Sequence, residues 1–273
     1  MKQVTAKVIT NDKILPEMQR PRHPGARNIL GGWIIWLSCP EIAREAKPGQ
    51  FIMVRCGEEC LLPRPFSIHQ VNDNGIALFF AVWADGKGTR WLSRRQPGNR
   101  IGLFGPLGNG FTISPTSHNL LLVAGGIGIA PLCFLAQKAL HQSCSVTLLS
   151  GATTTTRLYP NHLLPPRADI ITATEDGTTG KKGMITDLLP QFTSQADQIF
   201  ACGPMAMYLN MALKKRELKL TDKPVQVSLE VRMGCGRGVC YGCTVKTKTR
   251  LQLVCQNGPV FNMDDILWDE LNY

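Results

Sequence analysis

Residues 233–243, MGCGRGVCYGC, bring three cysteines into nine positions and part them with glycines. Glycine at this density disfavours both helix and strand, so the segment is a loop that needs something besides backbone hydrogen bonds to hold it. Thiols can supply that, by disulfide or by metal. Ten cysteines in 273 residues do not make a disulfide scaffold, because such scaffolds are short and secreted. The opening residues, MKQVTAKVITNDKILP, alternate polar and apolar side chains and lack the apolar run of a secretion signal. No segment approaches the apolar length of a membrane span. The expectation is a cytoplasmic chain with reduced thiols free to hold metal.

Cys235, Cys240 and Cys243 follow C-x4-C-x2-C, and Cys255 comes a short way on, after the strand-like LQLV. This is plant-type spacing for a 2Fe–2S cluster. Two irons bridged by sulfides need four thiolates from different directions, which a wrapping loop and one separate segment can supply. Gly234, Gly236, Gly238 and Gly242 would let backbone N–H groups approach the sulfurs. Zinc also takes four thiolates, although its usual signature is two close pairs rather than a triplet plus one. Cys39, Cys56, Cys60, Cys133, Cys144 and Cys202 show no ligand spacing among themselves, and all but Cys202 read as small buried hydrophobes.

Up to about residue 114 the chain reads as β structure. TAKVIT, GGWIIWLSC, GQFIMVRC, PFSIHQV, GIALFFAVW and NRIGLFGPLGNGF are short runs rich in β-branched and aromatic residues, broken by turn formers. Five or six such strands without a convincing amphipathic helix between them predict a small closed antiparallel barrel. Trp33 and Trp36, on one strand face, read as core packing, with a partner contact as the alternative. From about Asn119 the texture changes: NLLLVAGG, SVTLLSGA and ADIITATED are buried apolar runs, the first followed by helical PLCFLAQKALHQ, and ADQIFACGP is another strand followed by helical MAMYLNMALKKREL. Strand, helix, strand in repetition predicts a parallel α/β sheet. The tail from Val225 holds four cysteines and too little apolar material for a core of its own. The expected organisation is a barrel domain over 1–114, an α/β nucleotide-binding domain over 115–224 and a metal-binding module over 225–273.

Within the α/β block, LLLVAGGIGIAPL sets Gly125, Gly126 and Gly128 where a buried strand gives way to a helix, a place suited to a pyrophosphate. The dinucleotide fingerprint is incomplete, since Pro131 stands at the third glycine position and no acidic residue ends the next strand. A tight turn without a ligand would also account for the glycines. In the barrel block, RPFS offers Arg64 as a phosphate clamp and Ser67 as a hydroxyl at a strand end, while Gly86, Gly88 and Thr89 of the GKGT stretch form a second phosphate-holding turn. Each alone is equally an ordinary loop.

Together, RPFSIH, GKGTRWLS, GPLGNGF, GGIGIAPL, CGP, SLEVRMGCGRGVCYGC and CQNGPVF give the chain a resemblance to the ferredoxin–NADP reductase superfamily. Within it, the chain resembles the electron-transfer subunits of type B dihydroorotate dehydrogenase, and the likeness runs along essentially its whole length. The resemblance implies FAD held by Arg64, Pro65, Phe66, Ser67, Ala81, Val82, Trp83, Gly88 and Thr89. It departs from the family habit at Trp83, where a basic residue is more usual. It also implies NAD at Gly126, Gly128, Gly203 and Pro204, with Cys202 near the reacting face and Ser67 beside the flavin ring as the residues closest to the chemistry. Cys235, Cys240, Cys243 and Cys255 would ligate the cluster. A nicotinamide exchanges two electrons as hydride and an iron–sulfur centre one at a time, so a flavin must stand between them. The implied partner is an FMN-containing catalytic chain, two of each chain per assembly, that oxidises dihydroorotate in pyrimidine biosynthesis.

The formal net charge of +10 calls for an anionic partner or ligand. Lys2, Lys7, Arg20, Arg22, Arg90, Arg94, Arg95, Lys181, Lys182, Lys214, Lys215 and Arg216 are dispersed rather than gathered in one tract. No nucleic-acid reader motif accompanies them, so dinucleotides and an acidic protein are the expected partners, not nucleic acid or a membrane. Arg157 could meet a 2'-phosphate, although the family habit favours NAD. Two other readings stay open: a related flavin and iron–sulfur subunit of a hydrogenase or a bifurcating ferredoxin–NADP reductase, and a regulatory nucleotide-fold protein whose thiols bind zinc.

Overall fold

A computed structural model describes residues 1–17 and 28–271; Arg20 and Arg22 lie outside the described residues. Strands β1 (Lys2–Leu15), β2 (Ile29–Ser38), β3 (Phe51–Val54), β4 (Arg64–Ser67), β5 (Gln70–Asn72), β6 (Gly75–Trp83) and β7 (Arg100–Leu107) make one antiparallel sheet in the order β4-β3-β7-β1-β2-β6-β5. Its two edges are halves of a single kinked segment. At the kink the Ile68 N–H donates to the Gln50 carbonyl (3.0 Å) and the His69 N–H to the Ala77 carbonyl (2.9 Å), so pairing passes from the β3 side to the β6 side. The run PFSIHQV is therefore two strands, and it curls the sheet into the barrel. Short helices α1 (Pro40–Ala43) and α2 (Lys87–Ser93) accompany it. Trp33 and Trp36 lie on opposite faces of β2, as a separation of three requires in a strand. Trp33 packs into the barrel interior and Trp36 against the α/β layer.

The second sheet takes β8 (Asn119–Gly125), β9 (Ser145–Ala152), β10 (Asp169–Thr174), β11 (Lys181–Lys182), β12 (Gln198–Cys202) and β13 (Val225–Ser228). Beyond these come a small hairpin, β14 (Thr244–Lys246) with β15 (Leu251–Leu253), and a last strand, β16 (Val260–Asn262). The order in the second sheet is β11-β10-β9-β8-β12-β13-β16, parallel except for β16. β13 and β16, which bracket the cysteine loop, are thus strands of this sheet.

Helix α3 (Ile129–His141) covers one face, with Leu120, Leu122, Leu148 and Phe200 beneath it. Helices α4 (Leu189–Phe192) and α5 (Met205–Leu213) cover the other, over Leu121, Val123, Leu149 and Ile199. Burial on both faces is why β8 reads as a continuous apolar run, and each leucine removed from water this way contributes about 2 kcal/mol. Chain order runs outward in both directions from β8 and β12, which makes the gap beyond their carboxyl ends the topological switch point where ligands bind in such sheets.

Barrel and α/β layer are tied at the kink. His69 is fully buried, with Nδ1 2.9 Å from the Ala130 carbonyl and Nε2 2.8 Å from the Tyr159 hydroxyl. A carbonyl only accepts, so Nδ1 carries the proton and Tyr159 donates to Nε2. Burial pushes the His69 imidazole down to about 4. The unfolded chain therefore binds this proton near pH 6.5 while the folded chain refuses it until about pH 4. Stability drawn from this group is complete at pH 7 and is lost as pH falls through that window. The expected size is on the order of 3 kcal/mol. Chemical unfolding at pH 7 and pH 4.5 should show a smaller acid-induced loss in His69→Leu than in the unsubstituted protein, whereas equal losses would refute the assignment.

Candidate functional site

The crevice at the switch point is built by two turns that nearly touch. After β8 the chain enters a tight turn over Gly126–Gly128 and continues into α3. A Cβ on Gly128 would land on the Cys202 carbonyl oxygen, and one on Gly125 would sit 2.7 Å from Cδ of Pro204. Glycine is needed at both places for backbone to pass backbone. Gly126 differs: it has φ +55° and nothing within 4 Å of its missing Cβ. It leaves an open cradle at the head of a 13-residue helix, where unpaired N–H groups and the helix dipole favour an anion. The cradle fits a pyrophosphate.

This crevice opens into a cleft of about 400 Å³ between barrel and α/β layer, lined by Phe79, Ala81, Trp83, Gly126, Pro204 and Glu230 among others. Strand alternation turns Ala81 and Trp83 toward the cleft and Val82 into the barrel core. A second cleft of about 460 Å³ gathers Arg64, Pro65, Phe66, Trp83, Gly88 and Thr89. Gly88 is packed so closely that a Cβ there would come within 3.0 Å of the Arg64 side chain. The Arg64 guanidinium donates to the Leu62 carbonyl at 2.9 Å, and its charge stands at the mouth of the turn. Trp83 lines both clefts, so together they form one elongated trough suited to a long, flat ligand. Ser67 ends β4, half-buried opposite Phe51, outside the walls of these two clefts.

Cys202 and Gly203 lie behind the cleft wall, packed against Gly128 and closed off from the cleft. The Gly203 N–H donates to the Tyr208 hydroxyl at 2.8 Å, and that hydroxyl donates to the Ser228 carbonyl at 2.5 Å. The Cys202 thiol also reaches the Ser228 carbonyl, at 3.6 Å, and burial raises its pKa well above the usual thiol range. It is a neutral thiol, so any part it plays is through shape rather than nucleophilic attack. Glu230 was not singled out from sequence. It follows β13 and is exposed on the cleft wall, where the protein mass around it raises its carboxyl above the usual range. Arg157 and Glu175, of opposite charge, share the outer wall.

The four tail cysteines differ in exposure and meet in twos. Cys243 and Cys255 are buried, Cys235 is half-buried and Cys240 is exposed. They associate as two pairs: Cys240 hydrogen-bonds Cys235, and the Cys255 N–H donates to Sγ of Cys243 at 3.5 Å. Burial works against ionisation of Cys235, but N–H groups of Arg237, Cys240 and Val239 and the Cys240 thiol outweigh it and bring the group down to about 6. Burial, the Cys243 thiol and nearby negative charge push Cys255 up to about 12. Among the described residues no three His, Cys, Asp or Glu side chains converge on one point. Two thiol pairs joined by a glycine loop fit the four-thiolate demand of a two-iron cluster.

The loop reaches this shape by leaning on its neighbours. Gly236 and Gly238 have φ +65° and +75°. A Cβ on Gly236 would come within 2.6 Å of Met53, and one on Gly238 would overlap the Gln256 amide. The Arg237 guanidinium lies 4.6 Å from the Phe104 ring centre, and Gln256 donates to the Arg237 carbonyl at 3.2 Å. One turn, α6 (Val254–Asn257), carries Cys255 and Gln256 together.

Residues 230–267 match the family model for the iron-sulfur cluster binding domain of dihydroorotate dehydrogenase B. A dihydroorotate dehydrogenase B (NAD(+)) electron transfer subunit from Desulforamulus reducens is 40% identical, over 84% of this chain and 90% of its own. The subunit of the same name from Geobacillus sp. WCH70 is 35% identical over 92% and 98%. Among solved structures, the NADH-dependent reduced ferredoxin-NADP oxidoreductase, described in connection with flavin-based electron bifurcation, superposes with a TM-score of 0.82 at 27% identity, covering 98% of this chain and 91% of that one. A Neisseria gonorrhoeae ferredoxin NADP+ reductase with bound FAD and NADP shares the fold at a TM-score of 0.61 and 19% identity, over 80% and 92%.

The two glycines of the turn should separate in experiment. Gly128→Ala forces backbone apart and is expected to cost more than about 2 kcal/mol of stability, whereas Gly126→Ala costs about 1 kcal/mol of backbone strain and mainly weakens nucleotide binding. Unfolding curves and NADH titrations check both. A Gly126→Ala protein that binds nucleotide normally would remove the cradle from the site.

Proposed function

The chain belongs to the family of dihydroorotate dehydrogenase B electron transfer subunits, and on that premise we propose that it passes electrons between NAD and an FMN-bearing catalytic chain. The observation that carries this reading is a single body holding a nucleotide trough on one side and four paired thiols on the other, joined by the contact of residues 236 and 237 with the barrel. When bound, nicotinamide exchanges hydride, FAD converts a pair of electrons into single ones, and a 2Fe–2S centre carries them singly. The chain's own residues bind, orient and tune.

Arg64, Gly88 and Thr89 hold the flavin phosphates, with Pro65 and Phe66 beside them. Ala81 and Trp83 face the trough with side chains, and Val82 with backbone only. Ser67, at the end of β4 beyond the two cleft walls, would meet the edge of a flavin ring that extends past Phe66. Gly126 and Gly128 hold the nicotinamide nucleotide, while Gly203 and Pro204 shape its pocket. Cys235, Cys240, Cys243 and Cys255 would hold the 2Fe–2S cluster. The N–H groups aimed at Cys235 stabilise negative charge on the sulfur and so tune the centre.

The higher identity to the dihydroorotate dehydrogenase subunits, set against 27% for the bifurcation-linked structure, favours the first reading. The family match over the cysteine module supports a cluster over zinc.

A docking face surrounds the most exposed thiol. Leu61 (98% exposed), Leu62, Val239 and Tyr241 are apolar side chains open to solvent beside Cys240. An adjoining cleft of about 940 Å³ carries Arg55, Arg100 and Arg237. Exposed apolar residues rimmed by positive charge suit a protein partner with an apolar, acid-rimmed patch. That is where the catalytic chain is placed in this reading, with two of each chain in the assembly.

Three outcomes test the proposal. The FAD-loaded chain alone should reduce dyes with NADH but form no orotate; orotate formation without a partner would contradict it. Cys240→Ala should abolish electron delivery to the catalytic chain while NADH-dependent dye reduction stays within about twofold, and an equal collapse of both with FAD still bound would mean that flavin and cluster are not sequential carriers. Leu61→Glu should weaken assembly with the catalytic chain by tenfold or more (about 1.4 kcal/mol), read by sedimentation, with dye reduction unaltered.

A further inference from the structure

His69 sits where three walls of the nucleotide trough meet. Its backbone N–H is fixed to Ala77 of β6 at 2.9 Å, the strand that presents Phe79, Ala81 and Trp83 to the cleft. Its Nδ1–H is given to Ala130, the second residue of α3 and two positions after Gly128. Its Nε2 accepts from Tyr159, which anchors the far end of the loop whose Thr153 and Arg157 line the same cleft. Phe79 closes the group, with its ring centre 4.9 Å from that of Tyr159 in an edge-on contact and 5.7 Å from that of His69.

Packing alone does not call for a histidine here. Burying a polar ring costs free energy unless both nitrogens are satisfied, and an apolar pair in place of His69 and Tyr159 would fill the space at less cost. Ala130 lies inside a helix, where its carbonyl already serves the i+4 ladder, so the imidazole is not rescuing a stranded acceptor. What the ring adds is direction: two near-opposite hydrogen bonds fix the separation of the barrel strand and the nucleotide turn, where apolar surfaces could slide. Ser67, at the strand end, is two residues before His69.

We propose that His69 is a positioning residue for transfer between nicotinamide and flavin, holding the nucleotide-binding turn at a fixed distance from the flavin-binding strands through Ala130 and Tyr159. The proposal rests on the function given above. A misplacement of about 1 Å between reacting groups costs on the order of 100-fold in rate, so a small slackening of this joint should register in kcat.

The test uses the full chain loaded with FAD. His69→Leu removes both bonds, His69→Asn keeps a donor near Ala130, and the near-isosteric Tyr159→Phe removes only one partner. His69→Leu is expected to lower kcat for NADH-dependent dye reduction by about 10- to 100-fold while KM for NADH changes much less. The nicotinamide–flavin charge-transfer absorbance should weaken in parallel. His69→Asn should recover part of both, and Tyr159→Phe should show a smaller loss even if His69→Leu folds poorly. In cofactor-free protein, hydrogen exchange over residues 126–134 should quicken in His69→Leu. Folded, FAD-replete variants with unchanged kcat and unchanged charge-transfer absorbance would overturn the proposal, as would His69→Asn behaving like His69→Leu. An unsubstituted chain that fails to reduce dyes with NADH would instead overturn the functional reading, and this proposal with it.

Discussion

The cysteine loop cannot hold itself, and the contact that holds it organises the whole molecule. Glycine gives residues 234–242 freedom to bend around a metal centre and withholds any core with which to do so. The missing order comes from outside: Met53 and Phe104 of the barrel press on Gly236 and Arg237, and Gln256 fills the space that a side chain on Gly238 would take. Hydrophobic continuity supports it, because Cys243, Val245, Val254, Cys255 and Phe261 belong to the same buried cluster as Leu121 and Val123 of the parallel sheet. A redox centre placed this way is fixed relative to the flavin strands without any dedicated linker.

The same economy recurs at the switch point. Gly125 and Gly128 have no side chains because the turns after β8 and β12 pass too closely to admit them, whereas Gly126 faces open space with a positive φ. Buried polar groups gather here, as they do where local rules give way to function. Tyr208 satisfies the Gly203 N–H from below and His69 ties Ala130 from the side. Apolar packing builds the two layers, and a handful of directed hydrogen bonds sets their registration.

Much of this was legible in the sequence. GIALFFAVW and SVTLLSGA coincide with β6 and β9, since period and turn formers are local signals. The cysteine spacing was equally plain, and the family that the motifs together resemble is the one the relatives share. What could not be read was tertiary. PFSIHQV looks like one strand because the kink at Ile68 and His69 exists only where two sheet edges claim neighbouring amides. Trp33 and Trp36 were assigned to one face, although a spacing of three in a strand sends them apart, an error of period rather than of chemistry. Glu230, Tyr159 and His69 carry no motif and are found only once folding brings them to the trough. Val82 looked like its neighbours Ala81 and Trp83 until alternation turned its side chain into the barrel.

The central claim is that the four thiols grip a two-iron centre built to pass electrons singly to and from a flavin beside it. Metal and sulfide analysis of anaerobically prepared protein, joined to electron paramagnetic resonance after dithionite, tests this most directly. The account predicts two irons and two acid-labile sulfides per chain and a paramagnetic signal on reduction. One zinc per chain, no sulfide and a silent spectrum would contradict it.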